Sequence, residues 1–271
     1  MSGLTMKFIK SLVIATAAAT ASLVGGGALA AGKPTIALVH GAFCDSHAWD
    51  AVAGKLQASG YKVININLPG RPGTVVAAKD ATLEGYRQTV LAAIQGEKSP
   101  VVLVGHSFGG ITISNVGEAA PEKVKTLVYV AAYLPKDGDS LLKLAQSDRD
   151  SKLGEHLKPD EANGVLTVDR AASADIFLND GPASLRQAFP SLVIDEPLAP
   201  LATPVHLTAA RFGKVDKAYI RTSKDQVISP YLQSAMLADT PVRLTQTLDT
   251  GHLALLVDPQ GLANAIEKAA Q

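Results

Sequence analysis

Val101-Val102-Leu103-Val104-Gly105-His106-Ser107-Phe108-Gly109-Gly110 reads as a buried strand that ends in G-x-S-x-G and opens into the helix-like stretch Ile111 to Glu118. A serine in so sharp a strand-to-helix turn is held in a strained backbone conformation, with its hydroxyl lifted above the C-terminal edge of a sheet. Gly105 and Gly109 follow sterically, because side chains there would collide where strand and helix cross. The five-residue pattern alone is common. The strand before it and the helix after it give it meaning.

Outward from this turn, short β-rich runs alternate with longer helical patterns, the sign of a mostly parallel sheet flanked by helices. Strands are expected at Thr35 to Val39, Lys62 to Asn67, Val101 to Val104, Thr126 to Ala131, Lys217 to Arg221 and Val242 to Thr247. Helices are expected at Ala48 to Ala58, with Trp49, Val52, Ala53 and Leu56 at helical spacing, at Ala81 to Ile94 and at Pro259 to Ala270. Leu134 to Pro204 breaks the rhythm. It holds seven of the fifteen prolines and short helical patterns such as Ser140 to Ala145 and Ala183 to Phe189, but no convincing buried strand. We read it as an insertion of small helices carried on a single domain spanning 31–271, since strand signals resume after Pro204.

Residues 1–30 read as a secretory signal peptide. Lys7 and Lys10 precede an apolar run from Ser11 to Val24, and Ala28-Leu29-Ala30 has small residues where a signal peptidase reads. The run is too short, and too rich in Ala, Thr and Ser, for a spanning helix. A periplasmic or secreted product without a stable membrane anchor is expected.

The 271 residues balance 25 basic against 25 acidic side chains, with 47% hydrophobic residues, which excludes disorder as the main state. The absence of a basic block removes the simplest argument for a nucleic-acid partner. The single cysteine, Cys44, can neither close an intrachain disulfide nor build a thiolate zinc site, and reads as a small packing residue.

A serine hydroxyl is a poor nucleophile near neutral pH, so the turn calls for a base, and the base for a carboxylate that fixes its tautomer. In elbow folds these follow in the order Ser, Asp or Glu, His. Of the histidines after Ser107, only His252 sits in a loop between a late strand and the last helix. His156 lies among charged residues in the insertion, and His206 begins an apolar stretch as a packed histidine or part of a pocket wall. Asp225 follows a strand at the edge where catalytic groups gather. Asp249, three residues before His252, is its competitor; Asp216 precedes the strand at the wrong edge, and Asp258 caps the last helix. A developing oxyanion needs N–H donors, expected from Phe108 and, in the loop after the first strand, Ala42. His40 is expected to brace that loop.

These residues resemble the α/β-hydrolase fold, and within it the branch of plant methyl esterases, hydroxynitrile lyases and related bacterial esterases. Besides the elbow, the resemblance rests on Leu38-Val39-His40-Gly41-Ala42-Phe43 with Trp49 following, on Arg211-Phe212-Gly213-Lys214-Val215 leading into Tyr219-Ile220-Arg221-Thr222-Ser223-Lys224-Asp225, and on Gly251-His252 with Pro259 beyond. It implies a triad of Ser107, Asp225 and His252, an oxyanion hole at Ala42 and Phe108, and a helical cap over about 134–204. The lyases carry threonine after the first-loop histidine and lysine after the catalytic one. Here those positions are Gly41 and Leu253, so the resemblance implies a carboxylesterase acting on small to medium apolar acyl or aryl esters. No metal and no cofactor is needed. The rivals are a hydroxynitrile lyase or cofactor-free perhydrolase on the same triad, and a ligand-binding receptor of low turnover. The expected partner is a small-molecule ester, and a homodimer is compatible with this reading.

Overall fold

Strands β1 (Ile36–Val39), β2 (Val63–Ile66), β3 (Val101–His106) and β4 (Val124–Val130) precede the insertion, which holds β5 (Leu157–Asp160), β6 (Val165–Val168) and β7 (Glu196–Pro197); β8 (Asp216–Thr222) and β9 (Leu244–Leu248) follow it. This computed structural model describes residues 32–271; the leader expected over 1–30 lies outside them. Among the described residues no helix is long and apolar enough to cross a membrane.

Six strands form one parallel sheet in the order β2-β1-β3-β4-β8-β9. β1 and β3 are buried along their whole length, as continuous Val, Ile and Leu runs require when helices cover both faces. The chain leaves β1 for β2 on one side and later returns to β3 on the other. The order therefore reverses between β1 and β3, and the crevice at their carboxyl ends is where open α/β sheets bind ligands.

The helices follow local signals. α1 (Asp50–Ala58) buries Val52, Ala53 and Leu56 after a short 3₁₀ turn, Ser46–Trp49, that takes the first part of the expected helix. Thr82 caps α2 (Leu83–Ile94), its hydroxyl accepting from Gly85 N–H at 2.9 Å. α3 (Gly109–Ala119) starts directly behind the elbow and is buried along most of its length. After the insertion, Ser229 caps α8 (Pro230–Asp239), the short α9 (Ala254–Val257) follows, and Asp258 caps α10 (Pro259–Ala269), each long helix having proline in its first turn. Asp258 thus has its expected place.

Between them lie α4 (Leu141–Gln146), α5 (Arg170–Phe177), α6 (Ala183–Ala188) and α7 (Leu198–Ala202). The insertion is not purely helical. β5, β6 and β7 pair antiparallel into a small second sheet, with Val165, Leu166 and Val168 buried. Val165-Leu166-Thr167-Val168 is too short for a strand period to stand out, and the turn at Gly164, in the left-handed region at φ 66°, closes the hairpin. Packing of the run against the rest of the core selects the strand.

Candidate active site

Ser107 sits at φ 54°, a left-handed conformation that a non-glycine residue adopts only under constraint. The constraint is visible. A Cβ at Gly105 would lie 2.6 Å from the Gly109 carbonyl oxygen, one at Gly109 2.8 Å from the Val39 oxygen, and one at Gly110 2.1 Å from the Tyr133 oxygen. Backbone meets backbone on three sides, and Ser107 N–H and C=O are tied to Val130 and Tyr133. The turn has no room to relax.

Asp225 and His252 are buried, at 4% and 1% exposure, and His252 Nδ1 lies 2.9 Å from Asp225 Oδ2. A carboxylate only accepts, so Nδ1 carries a proton toward it and Nε2 faces away from the pair. Asp225 Oδ2 also accepts from Thr222 Oγ1 at 2.9 Å, and Oδ1 from the amides of Val227 at 2.8 Å and Ile228 at 2.9 Å. These donors hold the carboxylate in place and aimed at the imidazole. The competitor Asp249 is exposed and bound to Ser223 and Lys224, and Asp216 sits at the far end of β8 with Arg243.

The direct hydrogen bond among these three side chains is that between Asp225 and His252. His106 donates Nε2–H to the His252 carbonyl at 3.0 Å, and the two rings lie 4.7 Å apart. Phe177, from the insertion, lies with its ring tilted 6.0 Å from the His252 ring and lines the same cavity as Ser107. That cavity, of about 60 Å³, is walled by Ala42, Phe43, Tyr133, Leu141, Ala145, Leu166 and Val227 among others. It is strongly apolar. Ala42 and Phe108 flank the serine, and among the described residues neither amide has a hydrogen-bond acceptor. They are free to serve a ligand oxygen.

His40 is fully buried, and its Nε2 accepts from Leu68 N–H at 3.1 Å while Nδ1 donates to Gly41 O at 2.8 Å. It ties the loop after β1 to the loop after β2, and burial followed by the Arg71 charge lowers its pKa to about 3. Burial pushes the Cys44 thiol up to about 12, which makes it an inert packing group. His206 is neither packed nor part of the cavity wall: its side chain is 89% exposed, because its neighbours Val205 and Leu207 turn inward instead. His156 is partly buried near Glu155 and Asp169. Among the described residues no group of three or more His, Cys, Asp or Glu could hold a metal ion.

The Alpha/beta hydrolase family profile matches residues 36–265. The chain belongs to the alpha/beta hydrolase family. It is 26% identical over 248 residues to a putative chloroplastic methylesterase 14 of Arabidopsis thaliana, which covers 86% of this chain and 71% of that one. A carbendazim hydrolyzing esterase of Nocardioides sp. (strain SG-4G) is 35% identical over 109 residues, 40% of this chain and 45% of its own. Among solved structures, a pyrethroid hydrolase from Sphingobium faniae JZ-2 superposes with a TM-score of 0.79 at 25% identity, covering 88% of this chain and 97% of that one. The alpha/beta hydrolase sheet thus presents Ser107, Asp225 and His252 at one carboxyl edge.

Sequence reasoning missed several residues around this site. Asp180, in the insertion, accepts Gly251 N–H at 2.8 Å and so steadies the loop before His252, while Asn179 Nδ2 donates to Lys224 O at 2.9 Å beside Asp225. Arg71 and Glu196 form a fully buried ion pair at 2.6 Å behind the Ala42 loop. The one available signal was the turn Gly70-Arg71-Pro72-Gly73, which places a charge next to a crevice loop.

Proposed function

We propose that this alpha/beta hydrolase cleaves carboxylic esters through an acyl-enzyme on Ser107. The observation that carries the reading is the buried Asp225–His252 pair at the same carboxyl edge of the sheet as the strained Ser107, which opens into an apolar cavity. His252 Nε2 takes the serine proton as Oγ attacks the ester carbonyl, Asp225 stabilises the imidazolium, and the Ala42 and Phe108 amides receive the oxyanion. The proton then passes to the leaving alcohol. Water activated by His252 releases the acid and restores the serine.

The esterase and hydrolase names of the relatives support ester substrates. The Leu, Ala and Phe walls favour small to medium apolar acyl or aryl groups over charged ones. Gly41 and the buried Leu253 offer no polar group to a cyanide leaving group. The leader-like 1–30 supports export to the periplasm or medium.

The test is turnover of p-nitrophenyl esters of graded acyl length, with Ser107→Ala as control, beside fluorophosphonate labelling. Turnover and labelling that both vanish in Ser107→Ala support the reading. Cyanide release from mandelonitrile at a rate matching ester turnover overturns it in favour of a lyase, and labelling without multiple turnover favours a receptor.

A further inference from the structure

Behind the Ala42 loop, the insertion reaches into the core and grips one residue by both its backbone groups. Phe43 N–H donates to Glu196 Oε2 at 2.9 Å, and Phe43 C=O accepts from Ile194 N–H at 3.0 Å. Phe43 itself stands at φ 61°, in the left-handed region, where a bulky residue stays only if its surroundings hold it. Relaxation of that φ would turn the peptide that joins Phe43 to Ala42. That peptide carries the Ala42 carbonyl and the Phe43 N–H; the Ala42 N–H sits one peptide earlier and would be displaced through the φ and ψ of Ala42.

The grip is built from charge. Glu196 Oε2 takes the Arg71 Nη2 donor at 2.6 Å in the same contact, and Arg71 Nε donates to the Cys44 carbonyl at 2.8 Å, so the guanidinium holds the residue after Phe43 as well. Both side chains are wholly buried, and Glu196 Oε1 has no hydrogen-bond partner among the described residues. A sealed ion pair with an unsatisfied oxygen is a poor source of stability, because desolvation offsets the attraction and apolar residues of similar volume often serve as well. What the pair does supply is a strong, directed acceptor for the Phe43 amide.

Resting on the ester-hydrolase reading, we propose that Glu196 is the positioning residue of the oxyanion hole. Its carboxylate, held by Arg71, fixes Phe43 so that the Ala42 N–H faces the carbonyl attacked by Ser107. Seating of the insertion on the core and completion of the oxyanion hole are then a single event, since the acceptor belongs to β7 and the donor loop to the end of β1.

Two double variants isolate this role from the burden of a buried charge. Arg71→Met/Glu196→Gln removes both charges but keeps a side-chain oxygen for Phe43 N–H; Arg71→Met/Glu196→Leu removes the charges and the acceptor together. The measurements are kcat and KM on a p-nitrophenyl ester and the Ki of an aryl trifluoromethyl ketone, whose adduct with serine carries the oxyanion. The Leu variant is expected to show kcat about 10- to 100-fold below the Gln variant, a misaligned donor costing less than a deleted one. KM should be unchanged, Ki should weaken by the same factor as kcat, and the Gln variant, which keeps a weaker neutral acceptor, should lie between the Leu variant and wild type. Equal kcat in the two variants, or a difference confined to KM, overturns the proposal. So does failure of both to fold, which would make the pair a structural strap. An active wild type with equal variants sinks this inference alone, whereas a wild type that turns over no ester sinks the hydrolase reading beneath it.

Discussion

Asp225 Oδ2 and His252 Nδ1 lie 2.9 Å apart at the carboxyl edge of the sheet, with both side chains shut off from solvent. Asp225→Asn keeps the shape but lets an amide N–H meet Nδ1, which favours the wrong tautomer. The expected loss in kcat is about 10⁴-fold with the fold intact. Steady-state kinetics alongside circular dichroism checks it, and a loss under 10-fold would show that the pair is not the operative one.

The elbow makes its own prediction. Gly105→Ala places a methyl group 2.6 Å from the Gly109 carbonyl oxygen, and Gly110→Ala places one 2.1 Å from the Tyr133 oxygen. These are backbone collisions that no rotamer change relieves. Each should destabilise the chain by about 2–4 kcal/mol in urea unfolding. Gly54→Ala, at a position with open space around it, is the control and should be neutral or slightly stabilising.

Cavity depth should set acyl-chain preference. Ala145 lies on the wall of the apolar cavity that holds Ser107. Ala145→Phe fills part of the space, so the ratio of kcat/KM for a p-nitrophenyl octanoate to that for the acetate should fall by roughly 10-fold or more. An unchanged ratio would place the acyl chain elsewhere.

Two buried imidazoles should make stability fall in mild acid. Burial, then the Arg71 charge, lowers the His40 pKa to about 3, and burial, then His252, lowers that of His106 well below its usual value. In the unfolded chain both titrate near 6.5 and bind a proton that the folded chain does not. Their contribution is therefore complete above about pH 6.5 and declines as pH drops toward the folded values, by about 1.4 kcal/mol per group for each pH unit. Urea unfolding at pH 7.5, 6 and 5 measures it. Equal stability at pH 5 and 7.5 would refute the assignment, and His40→Gln, which can still accept from Leu68 N–H, should flatten the slope.

Most of the fold was legible in the chain itself, for reasons that act over a few residues. Val101 to Val104 is apolar without alternation because both faces of β3 are covered, and Gly105 and Gly109 mark a crossing too tight for a Cβ. Ser107 and His252 could be named from the strand–turn–helix context and chain order. Even the strand ends moved only slightly, as with β3, which runs on to His106.

Other features were decided only when distant segments met. Asp225 rather than Asp249 joins His252 because Asp249, just past β9, is exposed and bound to Ser223 and Lys224, while the carboxylate of Asp225 finds four inward donors. β6 became a strand because packing outweighed a four-residue pattern too short to declare itself. Arg71 and Glu196 stand 125 positions apart. Local sequence governs the backbone through sterics and hydrophobic spacing, which are short-ranged along the chain. The burial of a charge depends on what the rest of the molecule brings to it, and that is set by the tertiary fold.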